Sequence, residues 1–252
     1  KAWSTSKVYP GFQLLGDYIM AKPKGYILYE GPSAINGDPI VAILTLNSTN
    51  VKTGNMAQLW ILAKDTAPHI AKKEGKDDAV CGDCPIKKEC YVLTFQGPLS
   101  VWNAYKRGSY EYPVDSTGSV YLWDSILSDL IIRFGAYGDP AALPPYLIED
   151  IAANCKDFTG YTHQWNKPEF AFLKNYFMAS VESVGLAIHA ASLGFRTFRI
   201  KSKDMLLGDT EIICPSDSGI QCIDCKLCNG GKQAANIVID AHGARSGGLT
   251  YA

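Results

Sequence analysis

The sequence predicts an α/β fold, a complete or partial TIM-like (β/α) barrel with an N-terminal β-hairpin and cysteine-rich loops. In the second half of the 252-residue chain, strand-like runs alternate with helix-like runs, and polar residues gather where the strands should end. Such alternation argues for parallel βαβ units, and barrels carry their active sites at the carboxyl ends of the strands. No phosphate-binding glycine loop follows a predicted strand, which favours a barrel over a doubly wound sheet. We assign one domain, because barrels of this length are common.

The first part of the chain, residues 1–63, is predicted to be β-rich. The runs 25–30 and 39–46 are strand-like, and Asn36-Gly37-Asp38 between them has the composition of a tight turn. We therefore expect a hairpin, followed by a third apolar strand over Ala57–Ala63. Residues 64–124 are interpreted as an insertion that carries the first cysteines.

The predicted β/α repeats occupy residues 125–252. The candidate strands are Ile131–Tyr137, 159–164, 176–181, 196–200, 211–214 and 237–241. Two helices are predicted between them. The stretch 144–154 opens with prolines suited to a helix start, and 184–193 ends before Gly194, a residue suited to a helix C-terminus.

Charge and hydropathy exclude several classes of protein. The chain has 24 basic and 25 acidic residues, so no global field marks it as a ligand for nucleic acid or acidic membranes. No apolar run approaches the roughly 20 residues that a membrane-spanning helix needs. The opening Lys-Ala-Trp-Ser-Thr-Ser has no apolar core of a secretory signal. We expect a cytoplasmic protein without membrane contact.

Cysteine distribution points to the chemistry. The chain has eight cysteines, and all but Cys155 fall into two groups with two-residue gaps. The first group is Cys81, Cys84 and Cys90, and the second is Cys214, Cys222, Cys225 and Cys228. In a cytosolic chain of this size, Cys-x-x-Cys pairs hold metal or do redox work more often than they form disulfides. A two-residue gap lets both thiolates face one metal centre while amide N–H groups point at the sulfurs.

The second group predicts a [4Fe-4S] cluster. Its Cys-x-x-Cys-x-x-Cys run is the start of a bacterial ferredoxin pattern, but no cysteine follows three residues after Cys228. The fourth ligand must then come from Cys214, which precedes a proline, or from the first group. Zinc is the alternative metal, because four thiolates hold it equally well. Disulfides or unligated thiols are a further alternative, and the spacing leaves open whether there is one cluster or two.

Several other residues are candidates for function. Asp139 and His163 follow apolar runs and are tentative catalytic residues, since a carboxylate and an imidazole can act as acid and base. Arg199 is a tentative cofactor-binding residue that could clamp a carboxylate or phosphate. The structural alternatives are a turn for Asp139, a hydrogen-bonded core role for His163 and an ion pair for Arg199. Cys155 follows a helical segment and is interpreted as a core residue.

A basic and aromatic patch offers a lesser alternative. Lys106 and Arg107 lie near Trp102, Tyr105 and Tyr112, a mixture that suits single-stranded nucleic acid. With 14 tyrosines in the chain, such groupings arise by chance, so nucleic acid is not the expected partner.

The chain also resembles a group of uncharacterised bacteriophage proteins with a radical-S-adenosylmethionine-like, cysteine-rich pattern. The segments that carry the resemblance are Cys-Gly-Asp-Cys-Pro at 81–85, Gln-Gly-Pro at 96–98, Ala-Tyr-Lys-Arg-Gly at 104–108, Gly-Ala-Tyr-Gly-Asp-Pro at 135–140, Gly-Tyr-Thr-His-Gln-Trp at 160–165, Met-Ala-Ser at 178–180, Arg-Thr-Phe-Arg at 196–199 and the final cysteine group. The resemblance implies a location in the host bacterial cytoplasm. It also implies that the three cysteines of the first group could leave one iron free for S-adenosylmethionine. Their spacing, two residues then five, departs from the usual three then two.

Three functional hypotheses follow. The leading one is an iron-sulfur protein, either a radical-SAM-like enzyme or a redox protein, acting on an unidentified small molecule or redox partner. The first rival is a zinc-stapled accessory protein that binds nucleic acid or a host protein. The second is a purely structural cluster. Because loops after parallel strands emerge on one face, both cysteine groups are expected to meet at the barrel mouth, near Asp139 and His163.

Overall fold

The computed structural model of the chain describes residues 23–113, 123–202 and 204–241. Outside them lie residues 1–22 of the predicted β-rich part, 114–122 of the predicted insertion, and 203 and 242–252 of the predicted repeats. The strands are β1 (Gly25–Pro32), β2 (Pro39–Thr45), β3 (Ala57–Ala63), β4 (Ile131–Tyr137), β5 (Asp157–Thr159), β6 (Tyr161–Thr162), β7 (Met178–Val181), β8 (Thr197–Lys201), β9 (Glu211–Ile213) and β10 (Asn236–Asp240). The α-helices are α1 (Pro68–Glu74), α2 (Asp78–Cys81), α3 (Gly97–Lys106), α4 (Pro145–Asn154), α5 (Val184–Ser192) and α6 (Cys222–Cys225).

Tighter helical turns fill three connections between parallel strands. They are 3-10 segments at Pro140–Ala142, Pro168–Asn175 and Pro215–Ser218, each of which starts with a proline. Proline suits a first helical position because its missing N–H would have no partner there. Among the described helices, none has the length and apolar character needed to cross a membrane.

The predicted N-terminal hairpin is confirmed. Strand β1 pairs antiparallel with β2, from Gly25 opposite Thr45 to Pro32 opposite Pro39. Gly37 in the connecting turn has a φ of 84°, a left-handed conformation that glycine adopts without steric cost. Strand β2 then pairs antiparallel with β3, which carries the sheet into the parallel region.

From β3 onward, every strand pairing in the described chain is parallel. The first sheet has the order β1-β2-β3-β4-β5, and the second has the order β6-β7-β8-β10-β9. The predicted alternation of strands and helices is therefore present, and the architecture is mixed α/β with two five-stranded sheets. In such an arrangement, the loops after β3, β4, β6 and β7 all leave from the carboxyl ends of their strands.

The strand predicted over 159–164 is replaced by two short strands separated by Gly160. Strand β5 pairs with β4 in the first sheet, whereas β6 pairs with β7 in the second. A Cβ atom on Gly160 would lie 2.7 Å from the ring of Phe177 and 3.1 Å from Cβ of Phe134. The bend at Gly160 thus lets two buried aromatic side chains approach the backbone where the two sheets meet.

Two apolar clusters stabilise the sheets. The larger one contains buried residues of both sheets and of α4, and at its centre the rings of Phe134 and Phe177 lie 5.0 Å apart. The smaller one contains Met178, Phe198 and Ile237 on the other face of the second sheet. Alternate residues of a strand point to opposite faces, so β7 contributes to both clusters. Cysteines of the second group pack against the smaller cluster.

Candidate metal centres

The second cysteine group is built on the end of β9 and on α6. Cys214 follows β9, and its amide donates to the carbonyl of Val238 in β10 at 2.8 Å, so a sheet hydrogen bond fixes its position. Cys222 and Cys225 are the first and last residues of α6. Three residues apart on a helix, they lie on the same side of it.

A left-handed residue directs the chain from α6 to the last cysteine. Lys226 has a φ of 52°, in a region that few residues other than glycine occupy. Two residues later, the carbonyl of Cys228 accepts a hydrogen bond from the amide of Gly160 at 3.0 Å. The reversal at Lys226 therefore brings Cys228 to the bend between the two sheets.

The four cysteines of this group line one small cavity. Its volume is about 20 Å³, more than the 10–15 Å³ or so that one water molecule requires. The cysteines in its wall are Cys214, Cys222, Cys225 and Cys228. Burial raises the pKa of Cys228, and the other three cysteines raise it further. Thiolates this close together repel one another, and a bound metal centre would relieve that repulsion.

Arg196 holds the segment that follows Cys228. Its guanidinium donates to the carbonyls of Leu227 at 3.0 Å, Asn229 at 2.7 Å and Ala234 at 2.9 Å, and also to Ala235. Arginine suits this role because its planar group presents five donors in a fixed geometry. Arg196 is thus a positioning residue for the cysteine loop.

The other side of the second group is attached near the start of β3. The amide of Cys222 donates to the carbonyl of Lys52 at 2.9 Å, and that of Ile223 donates to Thr53 at 3.1 Å. Residues 52 and 53 precede β3, so this anchor lies at the amino end of that strand.

The first cysteine group lies at the carboxyl ends of β4 and β6. Cys81 ends α2, and the carbonyl of the preceding Val80 accepts from the amide of Asp139 at 2.6 Å. The carbonyl of Cys81 accepts from Nε2 of Gln164 at 3.2 Å. Asp139 follows β4 and Gln164 follows β6, so two parallel strands position α2.

Cys81, Cys84 and Cys90 interact electrostatically. Burial raises the pKa of Cys81 well above its usual value, and the charges of Asp77, Cys84 and Cys90 raise it further. Burial raises the pKa of the Tyr137 hydroxyl, and the charges of Cys81, Asp77 and Cys90 raise it further. The amide of Cys84 donates to the carbonyl of Cys81 at 3.4 Å, so these two cysteines share one turn.

Asp139 and His163 lie beside this first group. Oδ2 of the buried Asp139 accepts from the backbone amide of His163 at 2.7 Å, and Oδ1 accepts from Ala141 at 2.9 Å. Nε2 of His163 lies 3.4 Å from Oε1 of Glu182. Burial lowers the pKa of His163, but its interactions with Cys84 and Glu182 outweigh burial and raise it to about 10. Asp139 therefore positions the backbone of His163, and the imidazole faces a thiol and a carboxylate.

The structure does not bring the two cysteine groups to one mouth. The first group lies beyond the carboxyl ends of β4 and β6, as expected, whereas the second contacts residues that precede β3. The reason is that β9 has only three residues and ends beside Val238, in the middle of β10. The chain then folds back through α6 instead of continuing to the mouth.

Arg133 of β4 connects the two groups. Its Nη2 donates to the hydroxyls of Tyr91 at 2.8 Å and Tyr161 at 3.3 Å. Tyr91 follows Cys90 of the first group. Burial raises the pKa of Cys222 in the second group, and the charge of Arg133 opposes that rise. The Arg133 guanidinium thus binds the tyrosine that follows the first group and lowers the pKa of one thiol of the second.

All eight cysteines are free thiols, and none of them is fully exposed. Among the described residues, no set of three or more His, Cys, Asp and Glu side chains is arranged to hold one metal ion. That finding concerns a single ion, whose donors must all reach one point. In a four-iron cluster, each thiolate is bound to a different iron atom.

Arg199 and Cys155 have structural surroundings. Arg199 is fully buried and donates to both carboxylate oxygens of Glu211, at 2.7 and 2.6 Å. This matches the ion-pair alternative for Arg199, not a clamp for a ligand. Cys155 packs against the main core, and burial and Asp157 raise its pKa to about 12.

The polar groups of the basic and aromatic patch contact other residues of the chain. Nζ of Lys106 lies 5.2 Å from the ring centre of Trp102 and 5.4 Å from that of Tyr105. The hydroxyls of Tyr105 and Tyr112 both donate to Glu30. These polar groups bind to the chain itself.

Sequence reasoning missed Arg133, Arg196 and Glu182 as residues beside the two cysteine groups. Arg196 binds only main-chain carbonyls, which leave no pattern in a sequence. Arg133 lies inside a strand, where alternation predicts only the face of the sheet. Glu182 had a usable signal, because it follows the buried strand β7 just as Asp139 follows β4.

In comparisons with known proteins, no family model, no curated protein and no solved structure matches this chain.

Proposed function

We propose that this chain is an iron-sulfur protein that binds a [4Fe-4S] cluster through its second cysteine group. The observation that carries the proposal is the cavity lined by all four cysteines of this group. Sequence alone left the fourth ligand open between Cys214 and the first group. The position of Cys214 on the same cavity as Cys222, Cys225 and Cys228 supports it as that ligand.

Two features favour iron over zinc at this site. The Cys-x-x-Cys-x-x-Cys run is typical of cluster proteins, whereas zinc sites usually draw ligands in pairs. The thiols lie among apolar residues such as Leu227 and Ile237. Such surroundings limit solvent access, which tunes the potential of a cluster. Bound there, a [4Fe-4S] cluster supplies one-electron transfer.

The wider function that we propose is redox chemistry at a partial barrel. Strands β5 and β6 of the two sheets are joined at Gly160, and within each sheet the pairings from β3 onward are parallel. This is consistent with a curved surface that has one carboxyl-terminal mouth, where Asp139 and His163 lie. The resemblance to bacteriophage proteins adds the proposal of a redox partner or small-molecule substrate in a bacterial host.

The test is metal analysis of anaerobically purified protein. We expect a brown protein with broad absorption at about 400 nm from thiolate-to-iron charge transfer, with iron and acid-labile sulfide. Cys225→Ser should lose the iron of this centre and fold less well, because metal binding is coupled to folding. Cys155→Ser is the matched control and should keep the wild-type iron content.

Two outcomes would contradict the proposal. The first is a colourless protein that carries zinc even after anaerobic reconstitution with iron and sulfide. The second is equal loss of iron in the Cys225→Ser and Cys155→Ser variants, which would mean that global destabilisation and not ligand loss removes the metal.

A further inference from the structure

We propose that a cavity at the amino ends of β7, β8 and β10 binds a phosphate group, either free or carried by a small organic molecule. The cavity lies at the other end of the second sheet from the first cysteine group, which meets the carboxyl end of β6. This site is separate from the iron-sulfur chemistry proposed above and does not depend on it.

The cavity is large enough for a small metabolite. Its volume is about 500 Å³, within the range of roughly 300–1,000 Å³ that is typical of small-molecule sites. Its walls are residues 174–175, Gly194, Arg196 and residues 230–234. Inorganic phosphate would fill only part of this space, so the size favours a phosphate ester.

Backbone contacts define the shape of the cavity. A Cβ atom on Gly231 would lie 2.4 Å from the carbonyl oxygen of Asn175, so glycine is what lets these two walls approach each other. Arg196 holds the rest of the loop, because its guanidinium donates to the carbonyls of Asn229 at 2.7 Å and Ala234 at 2.9 Å. The cavity is therefore part of the ordered connection between the strands.

The lining of the cavity is positively charged. It contains Lys174, Arg196 and Lys232, and no aspartate or glutamate is among the described residues that line it. Nζ of Lys232 lies 2.5 Å from Oδ2 of Asp157, which is outside the lining. Lys174 and Arg196 take part in none of the ion pairs between described residues. Two positive charges thus have no counter-ion there, which matches the charge of up to two that a phosphate group has near neutral pH.

The lining also offers hydrogen-bond donors to a phosphate. A Cβ atom on Gly194 would lie 3.4 Å from Cδ and 3.7 Å from Nζ of Lys174, so the stem of this lysine lies along the cavity wall. The side-chain amides of Asn175 and Gln233 form no hydrogen bond with another described residue. Ammonium and amide N–H groups both donate to phosphate oxygens, and the charge-assisted bonds are the stronger ones.

The residue types of the lining favour a small molecule over nucleic acid. None of the described residues that line the cavity is aromatic, whereas proteins that bind single-stranded nucleic acid stack its bases on aromatic side chains. Such proteins also spread their basic residues along a groove, while here three cations surround one cavity. The carrier of the phosphate is therefore a small polar molecule, such as a sugar phosphate.

Isothermal titration calorimetry of the full chain with ribose 5-phosphate, inorganic phosphate and ribose would test the site. We expect saturable binding of both phosphates and none of ribose, because the negative charge determines recognition. Tighter binding of ribose 5-phosphate would assign an ester as the ligand, and tighter binding of inorganic phosphate would assign the free ion. The affinity should fall as the NaCl concentration rises, because salt screens exposed charges.

Three variants locate the binding site. Lys174→Ala should weaken the binding of the tighter-bound phosphate about 10-fold, since one hydrogen bond from a charged group is lost. Gln233→Glu should weaken it at least as much, because it adds a negative charge at nearly constant size. The matched control is Lys73→Ala, which removes the same charge from α1 and should leave the affinity unchanged. All three side chains are exposed, so each variant should keep the circular dichroism of the wild type.

Three results would overturn the proposal: no saturable binding of either phosphate at millimolar concentrations, equal binding of ribose, or equal losses of affinity in Lys174→Ala and Lys73→Ala. Tighter binding of a single-stranded oligonucleotide, lost in Lys174→Ala, would also overturn it and assign the cavity to nucleic acid. Iron content plays no part in this test. The proposed function fails separately, through the iron analysis of Cys225→Ser.

Discussion

At the scale of single residues, the ion pair of Arg199 with Glu211 places two opposite charges away from solvent. Arg199 is fully buried, and both oxygens of Glu211 accept from it. The amide of Gly208 also donates to Glu211, at 2.6 Å. A buried pair of this kind adds little net stability over an apolar pair, but loss of one partner leaves an uncompensated charge.

Glu211→Gln should therefore lower the free energy of unfolding at neutral pH by about 3–5 kcal/mol. Urea unfolding followed by circular dichroism would measure it. The matched control is Glu74→Gln, which breaks an exposed pair with Lys76 and should cost less than about 1 kcal/mol. Equal effects of the two substitutions would contradict a special role for the buried pair.

The same pair predicts a pH dependence. Burial raises the pKa of Glu211, but the hydrogen bonds from Arg199 and Gly208 outweigh burial, so the net pKa lies below its usual value. A carboxylate with a lowered folded pKa stabilises the protein above its unfolded pKa of about 4.3 and loses that contribution as the pH falls through the folded value. The difference between wild type and Glu211→Gln should thus shrink below about pH 4.

At the scale of elements, the cysteine loop depends on a glycine that permits close contact. The amide of Gly230 donates to the carbonyl of Tyr176 at 2.9 Å. A Cβ atom on Gly230 would lie 2.2 Å from the carbonyl carbon of Phe177. Backbone atoms cannot move aside as a flexible side chain can. Any larger residue at position 230 would therefore displace the cysteine loop from the sheet.

Gly230→Ala should lower the free energy of unfolding by about 1–3 kcal/mol and reduce the iron that we propose binds the second cysteine group. The control is Gly185→Ala in α5, where an added Cβ would meet only Oγ of Ser183, at 3.9 Å. That substitution should raise stability by about 0.5–1 kcal/mol, since alanine favours helix. Thermal unfolding and iron analysis of both variants would test this, and unchanged iron in Gly230→Ala would contradict the role of the contact.

The elements themselves were largely predictable, because their signals are local. Turn residues at Asn36-Gly37-Asp38 and a C-terminal glycine after α5 have the same meaning in any fold. The sequence did not show that the strand predicted over 159–164 is divided into the two short strands β5 and β6. Its bend depends on Phe134 and Phe177, which reach Gly160 only after the two sheets have packed.

At the scale of the whole molecule, sequence defined two cysteine groups but did not show where each would lie in the fold. Topology placed the first group correctly, because it follows β3 and meets the ends of β4 and β6. The second group lies instead near residues that precede β3, because the three-residue β9 stops beside the middle of β10. The length and pairing of so short a strand depend on tertiary contacts that no local pattern reports.

The anchoring of the second group to residues before β3 has a consequence for how the protein is made. Nε2 of Gln221 donates to the carbonyl of Val51 at 2.9 Å across a separation of 170 residues. A ribosome adds about 5–20 residues each second, so the two halves of this site emerge roughly 10–30 s apart. Cys81, Cys84 and Cys90 are translated early in that interval, whereas Cys222, Cys225 and Cys228 follow only at its end. Under the proposed function, iron could therefore reach the second group only after nearly the whole described chain has been made, while the early thiols wait for longer.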